Sequence, residues 1–197
     1  MKDILGSVEH ATAIAMDFGE TYGPLVEVLG GRQFRFVPDE KKALNIWSYP
    51  NLEKGIEPSE SQIALVVGDL LLNAGIRSDH TDYSFYSAIC EDVVKVVYDN
   101  VIAQNGEGQE RREPIHSDFL DQLETYHFQG LAAEFKERLI QLLKRYRHHP
   151  WLDAPTHPDY LKEDKDLRFD VFELDSLEQF QPELQASLAY RVAARII

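Results

Sequence analysis

Thr12-Ala13-Ile14-Ala15-Met16-Asp17-Phe18-Gly19 is a short apolar run closed by an acid and a glycine. It reads as a β-strand that delivers its carboxyl end into a turn. Working outward, a brief tyrosine-bearing helix over 22–29 closes on Gly30-Gly31, which suits a helix C-terminus because glycine tolerates positive φ. Gln33-Phe34-Arg35-Phe36-Val37 then alternates polar and apolar, the pattern of a strand with one buried face. Far downstream, Arg168-Phe169-Asp170-Val171-Phe172-Glu173-Leu174-Asp175 reads as another strand. It runs into a helix that opens at Pro182, where proline suits a first turn, and continues to Ile197. Strands alternating with helices predict an α/β fold built on a mostly parallel sheet.

The residues between these flanks read differently. Ser59-Glu60-Ser61-Gln62 resembles a capping box and opens the apolar helix Ile63–Leu72. A second helix runs from Tyr83 to Ala103 with Ile89, Val93, Val96, Val97 and Val101 at helical spacing. A polar loop from Asn105 to Pro114 follows, then Ser117 as the cap of a short helix, Asp118–Tyr126, and an amphipathic helix, Leu131–Tyr146. A proline- and histidine-rich loop leads on to Lys165. The expected organisation is a sheet portion from residues 1–58 and 148–197 around an inserted all-helical subdomain at 59–147. Leu65, Leu72, Ile89, Val93, Val97, Phe119, Leu123, Leu139 and Leu143 are the expected core of that insertion. Lys2–Glu9 reads as the end of a further helix.

Composition narrows the function. Twenty basic against 34 acidic residues leave a net charge of −14. Such a field repels a polyanion, so broad contact with a nucleic-acid backbone is not expected. The single cysteine, Cys90, lies in an apolar helical stretch, reads as a small core residue and has no intramolecular disulfide partner, as in a reducing cytoplasmic setting. No apolar run approaches the length of a membrane span, and Met1-Lys2-Asp3 does not open a signal peptide.

Candidate chemistry is sparse. Gly-x-x-x-x-Gly-Lys-Ser/Thr is absent, and Gly-Lys does not occur even as a dipeptide. Asp39-Glu40 follows a strand, as a magnesium-binding acid pair does, but Pro38 intervenes and places both acids in a turn. Asp17 and Asp175 end strands, where open α/β sheets face ligands, yet without phosphate-binding residues the better reading is that each caps the next turn. His148, His149, Asp153, His157 and Asp159 form the densest set of possible metal ligands, at spacings that match no ligand pattern and amid loop prolines. Arg111-Arg112 has the chemistry of an arginine finger but sits among Glu107, Glu110 and Glu113, as a solvated loop would. No catalytic, cofactor-binding or metal-ligating residue is therefore assigned.

In order, these segments resemble the C-terminal ATPase domain of the conjugative-transfer and type IV secretion ATPases, the TraC/TrbE class. The carrying residues are Asp17-Phe18-Gly19-Glu20-Thr21-Tyr22, Gly30-Gly31-Arg32-Gln33-Phe34, Leu44-Asn45-Ile46-Trp47-Ser48, Pro114-Ile115-His116-Ser117-Asp118-Phe119, and Phe169–Leu174 followed by Pro182-Glu183-Leu184-Gln185-Ala186. The third segment departs from the family's Asn-Pro-x-Asp pattern at Ile46 and Ser48. The resemblance implies a partial RecA-like sheet, of the P-loop NTPase type, with a helical insertion. It also implies a parent that hydrolyses ATP with magnesium to power DNA or protein transfer. The family's phosphate-binding loop is expected before Met1 and its magnesium-binding strand after Ile197, so the chain is expected to be a fragment without catalysis of its own. Implied partners are the remaining segments of the same ATPase, further copies in a homo-oligomer, and other secretion-system proteins. Location is expected to be cytoplasmic, meeting the inner membrane through partners only. Two other readings stand beside it: a non-enzymatic acidic module docking a basic partner, and a small metal-dependent hydrolase using the histidine loop.

Overall fold

The computed structural model describes residues 13–19, 21–37, 42–105, 112–161 and 169–194, and these divide into two compact units. One takes the described residues up to Val37 and those from Pro158 onward; the other takes those from 42 to His157.

The first unit is built on a three-stranded parallel sheet. Strand β1 (Ala13–Asp17) leads through helix α1 (Gly23–Leu29) to β2 (Arg32–Arg35), and β3 (Phe169–Glu173) lies between them in the order β1-β3-β2. Register pairs Ala13 with Phe169 and Asp17 with Glu173 on one side, and Arg32 with Asp170 and Arg35 with Glu173 on the other. The strand last in sequence is central, and all five of its residues are buried. Its three apolar residues, Phe169, Val171 and Phe172, suit a parallel strand covered on both faces, while its two acids, Asp170 and Glu173, are buried with hydrogen-bond partners. Over one face Val26, Phe169 and Val171 form a cluster with Ala13, Ala15, Tyr22, Leu25 and Leu29 around it. On the other face Phe34 stacks on Phe172 at 4.9 Å, and Tyr160 lies 5.0 Å from Phe34, delivered by the single turn α6 (Pro158–Leu161). The last helix, Pro182–Ala194, buries Leu184, Leu188 and Val192. Strand β2 stops short of the expected Val37. The Phe36 N–H leaves the ladder and donates to Ser176 Oγ at 3.0 Å.

The second unit is helical: α2 (Glu60–Asn73), α3 (Tyr83–Gln104), α4 (His116–Thr125) and α5 (Leu131–Leu143), the last prolonged by a 3-10 turn, Lys144–Tyr146. Ser59 caps α2 as expected, its Oγ accepting the Gln62 N–H at 3.2 Å. Helix α3 packs against α2, α4 and α5, which explains why its buried face is wide: Tyr86, Ile89, Cys90, Val93, Val94, Val97, Tyr98 and Val101. Two expectations need correction. Leu65 and Leu72 are only half-buried, because α2 turns Ile63, Val66, Val67, Leu70 and Leu71 inward instead. Ser117 is not a cap: α4 begins one residue earlier, and Asp118 serves its first turn by accepting the Ile115 N–H at 2.8 Å.

The unit boundaries also differ from those expected at 58/59 and 147/148. Residues 42–58 and 148–157 fold with the helices. The cause is a set of polar ties that reach across the sequence. The Asn45 N–H donates to Thr156 Oγ1 at 3.1 Å, the His157 N–H to the Ala43 carbonyl at 2.8 Å, and Tyr98 OH to the Trp47 carbonyl at 2.9 Å. The helix expected over Lys2–Glu9 lies outside the described residues, as do Asp39, Glu40, Arg111 and residues 162–165 of the histidine loop. The described part of the last helix ends at Ala194.

Candidate functional site

The carboxyl ends of parallel strands are where open α/β sheets meet ligands, and here two buried acids stand side by side. Asp17 and Glu173 are register partners, 3% and 2% exposed. Asp17 Oδ2 accepts the Tyr22 N–H at 2.9 Å, so this carboxylate caps the turn into α1. Glu173 Oε1 accepts the Asp175 N–H at 3.1 Å and the more distant Gly19 N–H at 3.4 Å, joining the turns that leave β1 and β3. Gly19 sits at φ 123°, a conformation that glycine adopts without steric cost. Ser176 completes the join, donating to the Glu173 carbonyl at 2.8 Å while accepting from Phe36. Asp175, expected at the strand's end, is exposed and opens a 3-10 turn (Asp175–Gln179). Glu173 takes the buried place instead. Phe18, 74% exposed, projects from the same rim.

At the opposite end of the sheet Arg32 and Asp170 form a forked ion pair, Nε to Oδ1 at 2.9 Å and Nη2 to Oδ2 at 2.7 Å. Arg32 Nη1 also donates to the Asp159 carbonyl at 3.2 Å, and its guanidinium lies 5.2 Å from the Phe34 ring. The pair went unread in the sequence, although opposite charges in two strands were its available signal.

In the helical unit, Leu44–Ser48 is held by a polar clamp. Asn45 Nδ2 donates to Glu113 Oε2 at 3.1 Å and to the Pro114 carbonyl at 2.9 Å. Ser48 Oγ donates to Glu113 Oε1 at 2.7 Å, and the Thr156 N–H to Glu113 Oε2 at 3.2 Å. One carboxylate thus gathers three segments, so Glu113 is not the solvated loop acid expected. Arg112 is likewise engaged: its Nη1 lies 2.8 Å from Asp118 Oδ2, and its N–H donates to Asn105 Oδ1 at 3.0 Å.

The histidine loop serves the same architecture. The Asp153 side chain, 1% exposed, accepts from the Ser117 N–H and Oγ at 2.6 and 2.5 Å and from the His148 N–H at 2.5 Å. His149 Nδ1 accepts the Trp151 N–H at 3.3 Å, and the imidazole of His148 stands 81% exposed. Among the described residues no three His, Cys, Asp or Glu side chains group as metal ligands. Burial pushes the Cys90 thiol and the Tyr98 phenol well above their ordinary ionisation ranges.

No family model matches the chain, and no curated protein does. Its fold, however, has a counterpart among solved structures. VirB4 of Thermoanaerobacter pseudethanolicus superposes with a TM-score of 0.65 over 98% of this chain and 69% of that one, at 16% sequence identity. The fold is that of VirB4. The small parallel sheet and the several helices match a partial RecA-like fold, and the resemblance to type IV secretion ATPases drawn from ordered segments meets a VirB4 structure reached through shape alone. No helix among the described residues is long and apolar enough to cross a membrane.

Where a parallel sheet holds a nucleoside triphosphate through a P-loop, a glycine-rich loop offers free backbone N–H groups and a lysine reaches the phosphates. The rim described here has the wrong chemistry for that. The N–H groups of Gly19, Tyr22 and Asp175 already point at Asp17 and Glu173, and two buried carboxylates would repel phosphate. These residues hold turns together and do not fit a nucleotide.

Proposed function

We propose that this chain is part of a type IV secretion or conjugative-transfer ATPase, supplying three strands and a helical unit to a machine that moves DNA or protein. Catalysis belongs to the intact ATPase, where ATP and magnesium are held by residues outside these 197. Partners are the rest of that ATPase, further copies of it and other secretion-system proteins. The chain acts on the cytoplasmic side and meets the membrane through them. The observation that carries the reading is the VirB4 fold, which extends over 98% of the chain. The absence of Gly-x-x-x-x-Gly-Lys-Ser/Thr from the sequence supports the division of labour.

Calorimetry with ATP and magnesium tests it. The chain alone should give no micromolar binding, and the polypeptide extended by its flanking coding sequence should bind. A micromolar Kd for the chain alone overturns the proposal, and so does a flanking sequence that encodes no phosphate-binding loop.

A further inference from the structure

Independently of that reading, the helical unit carries a groove that nothing in the unit fills. It runs between α2 and α3 with a volume of about 390 Å³. Ile63 and Val67 make an apolar floor, and Ala64, Gly68 and Ser87 leave it open where larger side chains would close it. Gly68 is the unusual member. Glycine inside a helix is less favourable than alanine, and it is half-exposed here, in a helix otherwise rich in leucine and valine.

The rim is acidic. Glu60 and Glu91 line the groove with Lys95, whose Nζ lies 2.6 Å from Glu91 Oε1. Glu60 is the rim's second carboxylate, beside the Glu91–Lys95 pair. Glu60 to Gly68 spans two helical turns, the length over which an apolar ridge spaced i, i+3, i+4 and i+7 makes contact.

We propose that the α2–α3 groove docks a basic amphipathic helix of a partner protein, its apolar ridge over Ala64 and Gly68 and its lysines or arginines against Glu60 and Glu91. This is helix-in-groove recognition, with small residues allowing close approach and the acidic rim selecting the sign of the partner's charge.

The probe is a synthetic leucine–lysine peptide patterned at helical spacing, with a scrambled peptide of the same composition beside it. Both are titrated against the full chain by fluorescence anisotropy. The patterned peptide should bind at least about tenfold tighter than the scrambled one. Gly68→Leu, which fills the groove and keeps every charge, should weaken it about tenfold. Glu60→Gln with Glu91→Gln should weaken it and flatten its salt dependence. Ala64→Phe obstructs the groove from an exposed position and replaces Gly68→Leu if the latter melts early by circular dichroism. Equal binding of both peptides, or full affinity in both filled variants, overturns the proposal. Self-association that Gly68→Leu abolishes also overturns it, because the occupant is then a second copy.

Discussion

A methyl group on Gly31 would meet the Phe169 carbonyl oxygen at 2.3 Å, well inside contact distance. Its neighbour Gly30 ends α1 at φ 66° with open space around it. The two glycines therefore serve different ends, one conformational and the other steric. Gly31→Ala should force β2 and β3 apart and lower stability by about 1–3 kcal/mol. Gly30→Ala should cost about 1–2 kcal/mol from left-handed backbone alone. Urea melts check both, and only Gly31→Ala should also loosen hydrogen-exchange protection in β3. Titration offers a second test at this scale. Cys90 and Tyr98 stay protonated when folded but ionise near their ordinary values, 9.0 and 10.0, when unfolded. Above those values the unfolded chain binds fewer protons than the native one, so stability falls as pH rises. The expected slope is about 1.4 kcal/mol per pH unit for each group. Melts between pH 8 and 11 should show it, and Cys90→Ala should delay its onset; a flat profile would mean that the thiol reaches water.

At the scale of the element, α5 shows how sharply one helix divides its faces. Phe135, Leu139, Ile140 and Leu143 are buried while Leu142 is 37% exposed. Leu139→Ala should destabilise by about 2–5 kcal/mol and Leu142→Ala by no more than about half a kcal/mol, compared by chemical denaturation. That face was legible because apolar residues recur at helical spacing. So were the three strands, β1 and β3 from their apolar residues and β2 from its polar–apolar alternation, and the Ser59 cap, from a partner three residues away. Ser117 was misread although its residue type is a good cap, because Asp153, a residue 36 positions distant, competes for both its N–H and its hydroxyl. Glu173 escaped notice for a similar reason. Its ties to Gly19 and Asp175 depend on β3 inserting between β1 and β2, a strand order that local pattern does not encode. The rim was thus legible as a place, through Asp17, while its second acid was not.

For the whole molecule, the alternation of strand and helix foretold a sheet with a helical insertion, but the boundaries rested on long-range ties that no composition shift announces. Those ties now yield a prediction about independence. The two chain segments that bound the helical unit are joined to each other inside it. His157 bonds Ala43, Asn45 bonds Thr156, and Glu113 accepts from Asn45, Ser48 and Thr156. Fixing both ends at one place means that the unit does not depend on the sheet to close its loop. Its interior is its own as well: Trp47, Tyr98, Phe119, Leu139 and Trp151 are each no more than 1% exposed. A polypeptide of residues 42–157 should therefore fold alone, with one cooperative thermal transition and native helix content by circular dichroism. Glu113→Ala in that polypeptide should lower its stability by about 1–3 kcal/mol, because three donors lose their acceptor together. The described halves of the sheet unit, up to Val37 and from Pro158 on, are held by β3 pairing and by ties such as Phe36 to Ser176, Gly19 to Glu173 and Arg32 to Asp170. A molten 42–157 would place the stabilising contacts elsewhere and remove the clamp from its role.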